Sequence, residues 1–402
     1  MNEASVTLNA IEEARARLKG LVHETPLDMS HTITTLADRE TYLKLENLQR
    51  TGSFKIRGAS NCIMTLSPEQ KERGIIAASA GNHAQGVALG GTMNAIRSTV
   101  VMPEAAPLAK VQATKGYGAN VVLHGKTFDE SLAKAMEIQK ETGAYFVHPY
   151  DDPMVIAGQG TVGLEILEQC PDIENIVVPA GGGGLLSGIA TAVKNKAPHV
   201  KVYGVQSEKA PAIYLGKKKW VSHPSGKTIA DGCAVGMPGK LTFSLIQKYV
   251  DDMLLVKEED IAAAMLLVLE RGKLVMEGAG AMPVAAALQH LIPTPGKTAL
   301  VISGGNIDVN TVSRIIETGL MRTGRRVKLE TRMADRPGEL VKFIKHLEKM
   351  QANILSITHE RVDRSLLLGE TLVSVELETK NAAHVNEIEE ELRQAGYTIE
   401  VR

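Results

Sequence analysis

One lysine, Lys55 in the stretch TGSFKIRGA, has neighbours that could hold an amine ready for covalent chemistry. It lies between Phe54 and Ile56, with glycines nearby at Gly52 and Gly58. Lysine is the side chain that forms a Schiff base, and burial lowers its pKa enough to make it reactive near neutral pH. A surface strand with a solvated lysine explains the same residues. The stretch alone leaves both interpretations open.

Four consecutive glycines lie between an apolar run and a helix-like segment, in VVPAGGGGLLSG from Val177 onward. Bare glycines let successive backbone N–H groups point at one spot, and the helix N-terminus adds partial positive charge. The pattern predicts a phosphate-binding loop more strongly than a flexible turn. It matches no nucleotide fingerprint, since Ile189 and Leu186 stand where a P-loop lysine and a third dinucleotide glycine are needed. Glu208 lies where a ribose-binding acid would follow, so a dinucleotide remains an alternative.

Two further groups of small polar residues follow apolar runs. SAGNH begins at Ser79 and could clamp a carboxylate or simply cap a helix. ISGGN contains Ser303 and could line a ligand crevice at the end of a strand, or form an ordinary turn. Each group is ambiguous when taken alone.

The chain up to about residue 319 alternates short apolar runs with amphipathic stretches. This alternation predicts an α/β fold of open parallel sheets covered by helices. Its length exceeds what one core usually holds, so we expect two lobes with a cleft between them, the smaller formed by about residues 63–148. The predicted strands are IIAASA, STVVMP, NVVLHG, NIVVPA, VKVYGVQ and TALVIS, and the predicted helices include 128–141, 184–196 and 258–270.

The pattern changes after the basic segment that ends at residue 326. The order of predicted elements there is β-α-β-β-α-β, the ferredoxin-like plan. The first helix is predicted to open at Asp335 with an N-cap and an early proline. We expect domains at 1–320 and 327–402 with a linker at 321–326. The predicted strands are 327–333, 353–362, 371–379 and 397–401, and the second helix is 381–395.

Bulk composition excludes several function classes. The chain has 402 residues, a net charge of -1 and 3% aromatics, so neither a nucleic-acid surface nor an anionic membrane is an expected partner. Three widely spaced cysteines supply neither a disulfide framework nor a metal site. The N-terminus is charged and amphipathic rather than signal-like, and the longest apolar run, 261–269, is too short to cross a bilayer. We expect a cytoplasmic protein without a metal.

Four segments, TGSFKIRGA, SAGNHAQGVA, AGGGGLLSG and ISGGNID, together resemble the threonine dehydratase (threonine deaminase) family in their order and spacing. This family belongs to the pyridoxal-phosphate enzymes of fold type II, and the resemblance covers residues 1 to about 320. It implies a two-lobed, open parallel-sheet fold like that of the tryptophan synthase β subunit. The C-terminal part resembles an ACT regulatory module, with an Asp-Arg-Pro-Gly turn at Asp335 before its first helix.

The resemblance implies pyridoxal 5'-phosphate as cofactor and a role for each candidate residue. Lys55 would bind the cofactor aldehyde covalently and then remove the α-proton of the substrate. Phe54 would lie against the cofactor ring, Asn82 would hydrogen-bond its 3-hydroxyl, and Ser303 would contact the pyridine nitrogen. The other implied residues are the phosphate ligands Gly181, Gly182, Gly183, Gly184 and Leu185, the substrate-carboxylate loop with Ser79, Ala80, Gly81 and His83, and an acid near the cofactor, Glu277.

The implied reaction is the elimination of L-threonine to 2-oxobutanoate and ammonia, with weaker dehydration of L-serine to pyruvate. The ACT-like part implies allosteric control by isoleucine, valine or a nucleotide, and a homotetramer. The pathway would be isoleucine biosynthesis or threonine catabolism.

Three alternatives accompany this interpretation. A serine racemase or another β-eliminating enzyme of the same fold is one, but racemases use a second serine where this chain has Ala80. They also carry metal-binding acids where this chain has Gln206, Ala210 and Ala212. A nicotinamide-dependent oxidoreductase is disfavoured by the missing fingerprint. A non-catalytic amino-acid sensor built on the ACT-like part is the third.

Overall fold

The computed structural model describes residues 6–216, 219–362 and 366–402. They divide into two compact units, Met1–Ile307 and Asp308–Arg402. The strands of the first unit are β1 (Leu27–Met29), β2 (Thr41–Leu45), β3 (Ile75–Ala78), β4 (Ser98–Met102), β5 (Asn120–Leu123), β6 (Tyr145–Phe146), β7 (Asn175–Pro179), β8 (Lys201–Ser207), β9 (Asp252–Val256) and β10 (Thr298–Ile302). The strands of the second unit are β11 (Arg326–Ala334), β12 (Asn353–Glu360), β13 (Glu370–Glu378) and β14 (Ile399–Val401).

Helices separate most of these strands. Those of the first unit are α1 (Leu8–Leu18), α2 (His31–Ala37), α3 (Lys55–Met64), α4 (Pro68–Arg73), α5 (Asn82–Met93), α6 (Leu108–Gly116), α7 (Phe128–Thr142), α8 (Pro153–Gln169), α9 (Gly184–Lys196), α10 (Ala212–Leu215), α11 (Lys240–Tyr249), α12 (Glu258–Leu267) and α13 (Gly278–Leu288). Those of the second unit are α14 (Val309–Arg322), α15 (Glu339–Lys349) and α16 (Ala382–Gln394).

The first unit contains two sheets, which confirms the predicted α/β class. One sheet has the order β1-β2-β10-β7-β8-β9 and the other has the order β5-β4-β3-β6. Every pairing in them is parallel except that of β1 with β2, which is antiparallel. All residues of β7 and β10 are buried, as expected for continuous apolar strands covered on both faces. In such sheets the carboxyl ends of the strands are where ligands bind.

The second unit has an antiparallel sheet in the order β12-β13-β11-β14 with helices α15 and α16. This confirms the predicted ferredoxin-like plan, whose core includes Leu329, Phe343, Val375 and Ile388. The predicted start of its first helix was wrong. The helix begins at Glu339, because Gly338 has a φ of +92°, a left-handed backbone conformation that interrupts any helical turn begun earlier.

Two further observations concern helix length and the cysteines. No helix among the described residues is long and apolar enough to cross a membrane. The three cysteines Cys62, Cys170 and Cys233 are all buried and unpaired.

Candidate active site

Lys55 is the first residue of α3, so the stretch TGSFKIRGA forms a turn and a helix rather than a surface strand. The turn is held against the end of β10, because the backbone N–H of Phe54 donates to the carbonyl of Ser303 at 3.1 Å. The adjacent residues Ser53 and Gly304 form an isolated antiparallel bridge. The fold therefore brings the lysine next to the segment that carries Ser303, which is buried.

The Lys55 amine is partly buried and hydrogen-bonded to the backbone. Its Nζ donates to the carbonyl oxygen of Pro149 at 2.7 Å and lies 5.2 Å from the centroid of the Phe54 ring. Burial lowers the pKa of this amine to about 8, although Cys233 and Glu277 act in the other direction. An amine with this pKa has a sizeable unprotonated fraction near neutral pH, so it can serve as a nucleophile or a base.

Asn82 and Glu277 form a hydrogen-bonded pair close enough to Lys55 for Glu277 to influence the lysine pKa. Nδ2 of Asn82 donates to the two carboxylate oxygens of Glu277, at 2.8 and 3.0 Å. Burial raises the pKa of the Glu277 carboxyl to about 7, and the hydrogen bond from Asn82 partly offsets that effect. Three residues predicted from separate segments therefore lie in one region.

The glycine loop, residues 181–184, is bare backbone packed closely by its neighbours. A Cβ added to Gly182 would lie 2.4 Å from the ring of Tyr150, so even alanine does not fit there. Gly183 has a φ of +95° and is the N-cap of α9, and Leu185 lies in the first turn of that helix. Unobstructed N–H groups at a helix N-terminus are suited to a phosphate.

Pro149 and Tyr150 connect the lysine to the glycine loop. The carbonyl of Pro149 accepts from Lys55, and the ring of Tyr150 covers Gly182. The ring of His148 contacts that of Tyr150 edge-on at 4.7 Å between centroids. The sequence interpretation missed this segment. Its position just after the apolar residues of β6 was the available signal, because it too follows a parallel strand.

Cys233 is a second residue that the sequence interpretation missed. Its Cα would lie 2.9 Å from a Cβ added to Gly181, so it forms part of the wall of the glycine loop. Burial raises the pKa of its thiol to about 12, which keeps the sulfur neutral. Nothing in the surrounding sequence marks the residue in advance.

The loop SAGNH lies at the end of β3 and leads into α5. The side chain of Ser79 accepts a hydrogen bond from the N–H of Gly81 at 3.2 Å, and Ala80 packs against an apolar cluster. The imidazole of His83 is buried, with Nε2 2.8 Å from the carbonyl of Val147, and burial lowers its pKa to about 3. The helix N-terminus, rather than the neutral imidazole, is the part of this loop suited to a carboxylate.

A cluster of four buried charges supports the helix that carries Lys55. This buried charge cluster consists of Lys44, Glu46, Arg57 and Glu165. Arg57 donates to Glu46 through Nε and Nη2, both at 2.8 Å, and to Glu165 through Nη1 and Nη2, at 2.5 and 2.9 Å. Lys44 donates to Glu165 at 2.6 Å. Burial disfavours the charge of Arg57, but the two carboxylates outweigh it and raise the pKa of the guanidinium.

Gln206, where a racemase metal ligand was considered, is fully engaged with the backbone. Its side-chain oxygen accepts from the N–H groups of Ile213 and Tyr214, and its nitrogen donates to the carbonyl of Ala180. Among the described residues there is no group of three or more His, Cys, Asp and Glu side chains that could hold a metal ion.

Comparison with known proteins identifies the family. A family model described as pyridoxal-phosphate dependent enzyme matches residues 18–304. L-threonine ammonia-lyase of Thermotoga maritima is 50% identical over 398 residues, which cover 98% of this chain and 99% of that protein.

Two solved structures share the fold. Maize serine racemase has a TM-score of 0.75 at 36% identity and covers 79% of this chain and 99% of its own. The processed form of threonine deaminase isoform 2 from Solanum lycopersicum has a TM-score of 0.74 at 36% identity and covers 78% of this chain and 88% of its own. With a family match over most of the first unit and a half-identical relative over nearly the whole length, this chain belongs to the pyridoxal-phosphate-dependent enzymes.

Proposed function

We propose that the protein is an L-threonine ammonia-lyase that converts L-threonine to 2-oxobutanoate and ammonia and dehydrates L-serine more weakly. The observation that carries this proposal is near full-length similarity, at 50% identity, to a protein named L-threonine ammonia-lyase. The site geometry supports it, because a lysine with a lowered pKa lies beside the residues expected to bind the cofactor and substrate.

The residues present fit pyridoxal phosphate. The glycine loop places bare backbone at the N-terminus of α9, and the Tyr150 ring packs so closely on Gly182 that a Cβ there would not fit, so the loop's N–H groups carry no side chain beside them that could displace a phosphate. Lys55 supplies the amine that this cofactor needs, and the partly buried Asn82 has N–H hydrogens to donate to a ring hydroxyl. Ser303, expected at the pyridine nitrogen, would be a neutral partner there.

Each residue of the site would have its own role in the elimination. Pyridoxal phosphate, when bound, supplies the electron sink for the α-carbon. Lys55 would take the α-proton at its Nζ, since its lowered pKa leaves part of the amine unprotonated at neutral pH. The N-terminus of α5, at Ser79 to His83, would hold the substrate carboxylate and so fix which bond faces the lysine. Phe54 would line one face of the site.

Racemisation is the second candidate, because maize serine racemase is among the structural relatives. A racemase must return a proton to the other face of the α-carbon. Ala80 lies in the substrate loop and has no group that can carry a proton. Elimination therefore fits the residues better than racemisation does.

The proposed activity can be tested by measuring 2-oxobutanoate release from L-threonine by the purified protein loaded with pyridoxal phosphate. Parallel assays with L-serine and D-serine separate elimination from racemisation. Turnover of L-threonine is the expected result. Failure to release 2-oxobutanoate, together with formation of D-serine from L-serine, would instead support the racemase.

Cofactor loading should show the pKa of the lysine directly. The rate of pyridoxal phosphate incorporation into the apoenzyme is expected to rise with pH and level off above about 8, because the unprotonated amine is the nucleophile. With a pKa of about 8, roughly a tenth of the amine is free at pH 7, whereas an ordinary lysine would have far less. Stopped-flow absorbance between pH 6 and 10 measures this profile. A rate that continues to rise to pH 10 would contradict it.

Gly182→Ala is expected to weaken pyridoxal phosphate binding by about 10- to 100-fold. The added Cβ would overlap the Tyr150 ring, so the loop has to shift, and restoring its N–H groups to the position that binds the phosphate would cost the overpacking energy of about 1–3 kcal/mol. Fluorescence titration of the apoenzyme measures the affinity. The matched control is Gly116→Ala at the end of α6, where an added Cβ meets nothing within 4 Å and binding should be unchanged. Equal affinities for both variants would contradict the requirement for a bare glycine at position 182.

Residues 327–402 of the second unit are proposed to be an ACT regulatory domain, with domain boundaries at 1–320 and 327–402 and a linker at 321–326. Its βαββαβ order supports this assignment.

We further propose a cytoplasmic homotetramer regulated by isoleucine, valine or a nucleotide, which acts in isoleucine biosynthesis or threonine catabolism. Repeating the threonine assay with isoleucine, valine and AMP, with light scattering to measure the mass, tests the effector and the assembly.

A further inference from the structure

Asn306, three residues after Ser303, is hydrogen-bonded to the predicted cofactor ligand Asn82. Nδ2 of Asn306 donates to Oδ1 of Asn82 at 2.8 Å, while Nδ2 of Asn82 donates to Glu277. The two ends of the Asn82 amide thus have different partners. Turning that amide by 180° would set two donors against each other on one side and two acceptors on the other.

The orientation of Asn306 is itself set by the backbone. Its Nδ2 also donates to the carbonyl oxygen of Thr51 at 2.7 Å. A carbonyl oxygen can only accept, so the nitrogen of Asn306 must face it. Because the same nitrogen reaches Asn82, the oxygen of Asn82 must turn toward Asn306. The Thr51 carbonyl thus fixes the orientation of the Asn306 amide, and Asn306 in turn fixes the orientation of the Asn82 amide.

Close packing holds Asn306 in this position. A Cβ on Gly52 would lie 2.5 Å from its Oδ1, and Gly52 has a φ of +70° that other residues rarely adopt. The N–H of Gly305 donates to the carbonyl of Gly52 at 2.8 Å. The turn before Lys55 and the segment after Ser303 therefore bring the Asn306 amide to a defined place.

We propose that Asn306 is a positioning residue that keeps the N–H hydrogens of Asn82 directed toward the cofactor 3-hydroxyl and Glu277. The inference rests on the proposed function, in which Asn82 donates to that hydroxyl. The amide nitrogen of Asn82 carries two hydrogens, so it can serve Glu277 and the cofactor together. Asn306 acts through Asn82 and need not touch the cofactor itself.

Comparing Asn306→Asp with Asn306→Ala tests this role. Aspartate has nearly the shape of asparagine but only accepts, so it would repel the Thr51 carbonyl and draw the nitrogen of Asn82 toward itself. The oxygen of Asn82 would then face the cofactor and Glu277. Alanine leaves the Asn82 amide without a partner there but does not reverse it. If Asn306 only filled space, N306A would bind the cofactor more weakly than N306D, since aspartate preserves the volume of asparagine.

The measurement is titration of each full-length apoenzyme with pyridoxal phosphate, followed by fluorescence and by the visible spectrum. We expect N306D to bind pyridoxal phosphate on the order of tenfold to a hundredfold more weakly than wild type, because the oxygen of Asn82 would then face other acceptors without a hydrogen between them. N306A should lose several-fold less, and the visible maximum should move in N306D. An N306D affinity equal to that of wild type, or a weaker affinity in N306A than in N306D, would overturn the proposal.

A second pair of variants covers the case in which N306D does not fold. In Glu277→Gln the new amide can donate to a reversed Asn82 oxygen, which removes the clash between acceptors. Adding Asn306→Asp to Glu277→Gln should therefore still weaken cofactor binding at least tenfold, with little change in the thermal midpoint. Equal cofactor affinity in E277Q and the double variant would overturn the proposal. Wild type is the reference for the proposed function, since its failure to bind pyridoxal phosphate would contradict that function and not only the role of Asn306.

Discussion

Replacing Lys55 by alanine is expected to abolish the visible absorption of covalently held pyridoxal phosphate and to lower threonine turnover on the order of 10⁴-fold. Both effects have one cause, because the same amine would bind the cofactor aldehyde and remove the α-proton. The amine is held at the Pro149 carbonyl with a pKa of about 8, so its loss leaves no equivalent base at that position. Absorbance and 2-oxobutanoate assays on the same preparation measure both quantities.

Lys140→Ala is a suitable control for the loss of a lysine. Lys140 is exposed in α7, and its replacement should leave the spectrum and the turnover unchanged. Addition of a primary amine to K55A can restore a small part of the α-proton removal if the lysine acts as the base. A coloured K55A protein with wild-type turnover would contradict the role of Lys55.

Replacing Arg57 by methionine is expected to lower the free energy of unfolding by about 3–5 kcal/mol, because Glu46 and Glu165 would be left buried without their main cationic partner. For a unit of this size the thermal midpoint should fall on the order of 10 °C. Urea unfolding followed by circular dichroism measures the change as a shift in midpoint at constant slope.

Arg15→Met provides the matched comparison on the surface. Arg15 is paired with Glu168, and the two side chains are 37% and 42% exposed. Solvent-exposed pairs of this kind contribute about 0–1 kcal/mol. If R57M were no less stable than R15M, burial of the charge cluster would not have the cost assigned to it.

The fold of the first unit was largely predictable because its central strands are continuous apolar runs. After one polar residue at the start of each, β7 and β10 consist of consecutive apolar residues with no alternation, which indicates burial on both faces. The strand β2 was not predicted, since Lys44 interrupts its apolar residues and the charged Glu46 follows it directly. Lys44 and Glu46 can be buried because Lys44 is paired with Glu165, more than 100 positions later, and Glu46 is paired with Arg57 in the next helix.

The candidate site was predictable where function leaves a local pattern. The glycine loop and the stretch around Lys55 are contiguous segments, and their residue types alone restrict what they can bind. Pro149, Tyr150 and Asn306 were missed because their importance comes from contacts between segments. Nothing in the residues near Asn306 indicates that its amide meets Asn82, more than 200 positions earlier.

The buried charge cluster also limits which substitutions the protein can tolerate one at a time. Loss of either cation leaves excess negative charge in the interior, and loss of either carboxylate leaves excess positive charge there. An apolar replacement of all four residues could be as stable as the present arrangement, but each route to it begins with a destabilised intermediate. The helix that carries Lys55 is therefore stabilised by residues that single substitutions rarely replace without loss of stability. We expect Lys44, Glu46, Arg57 and Glu165 to change together or not at all.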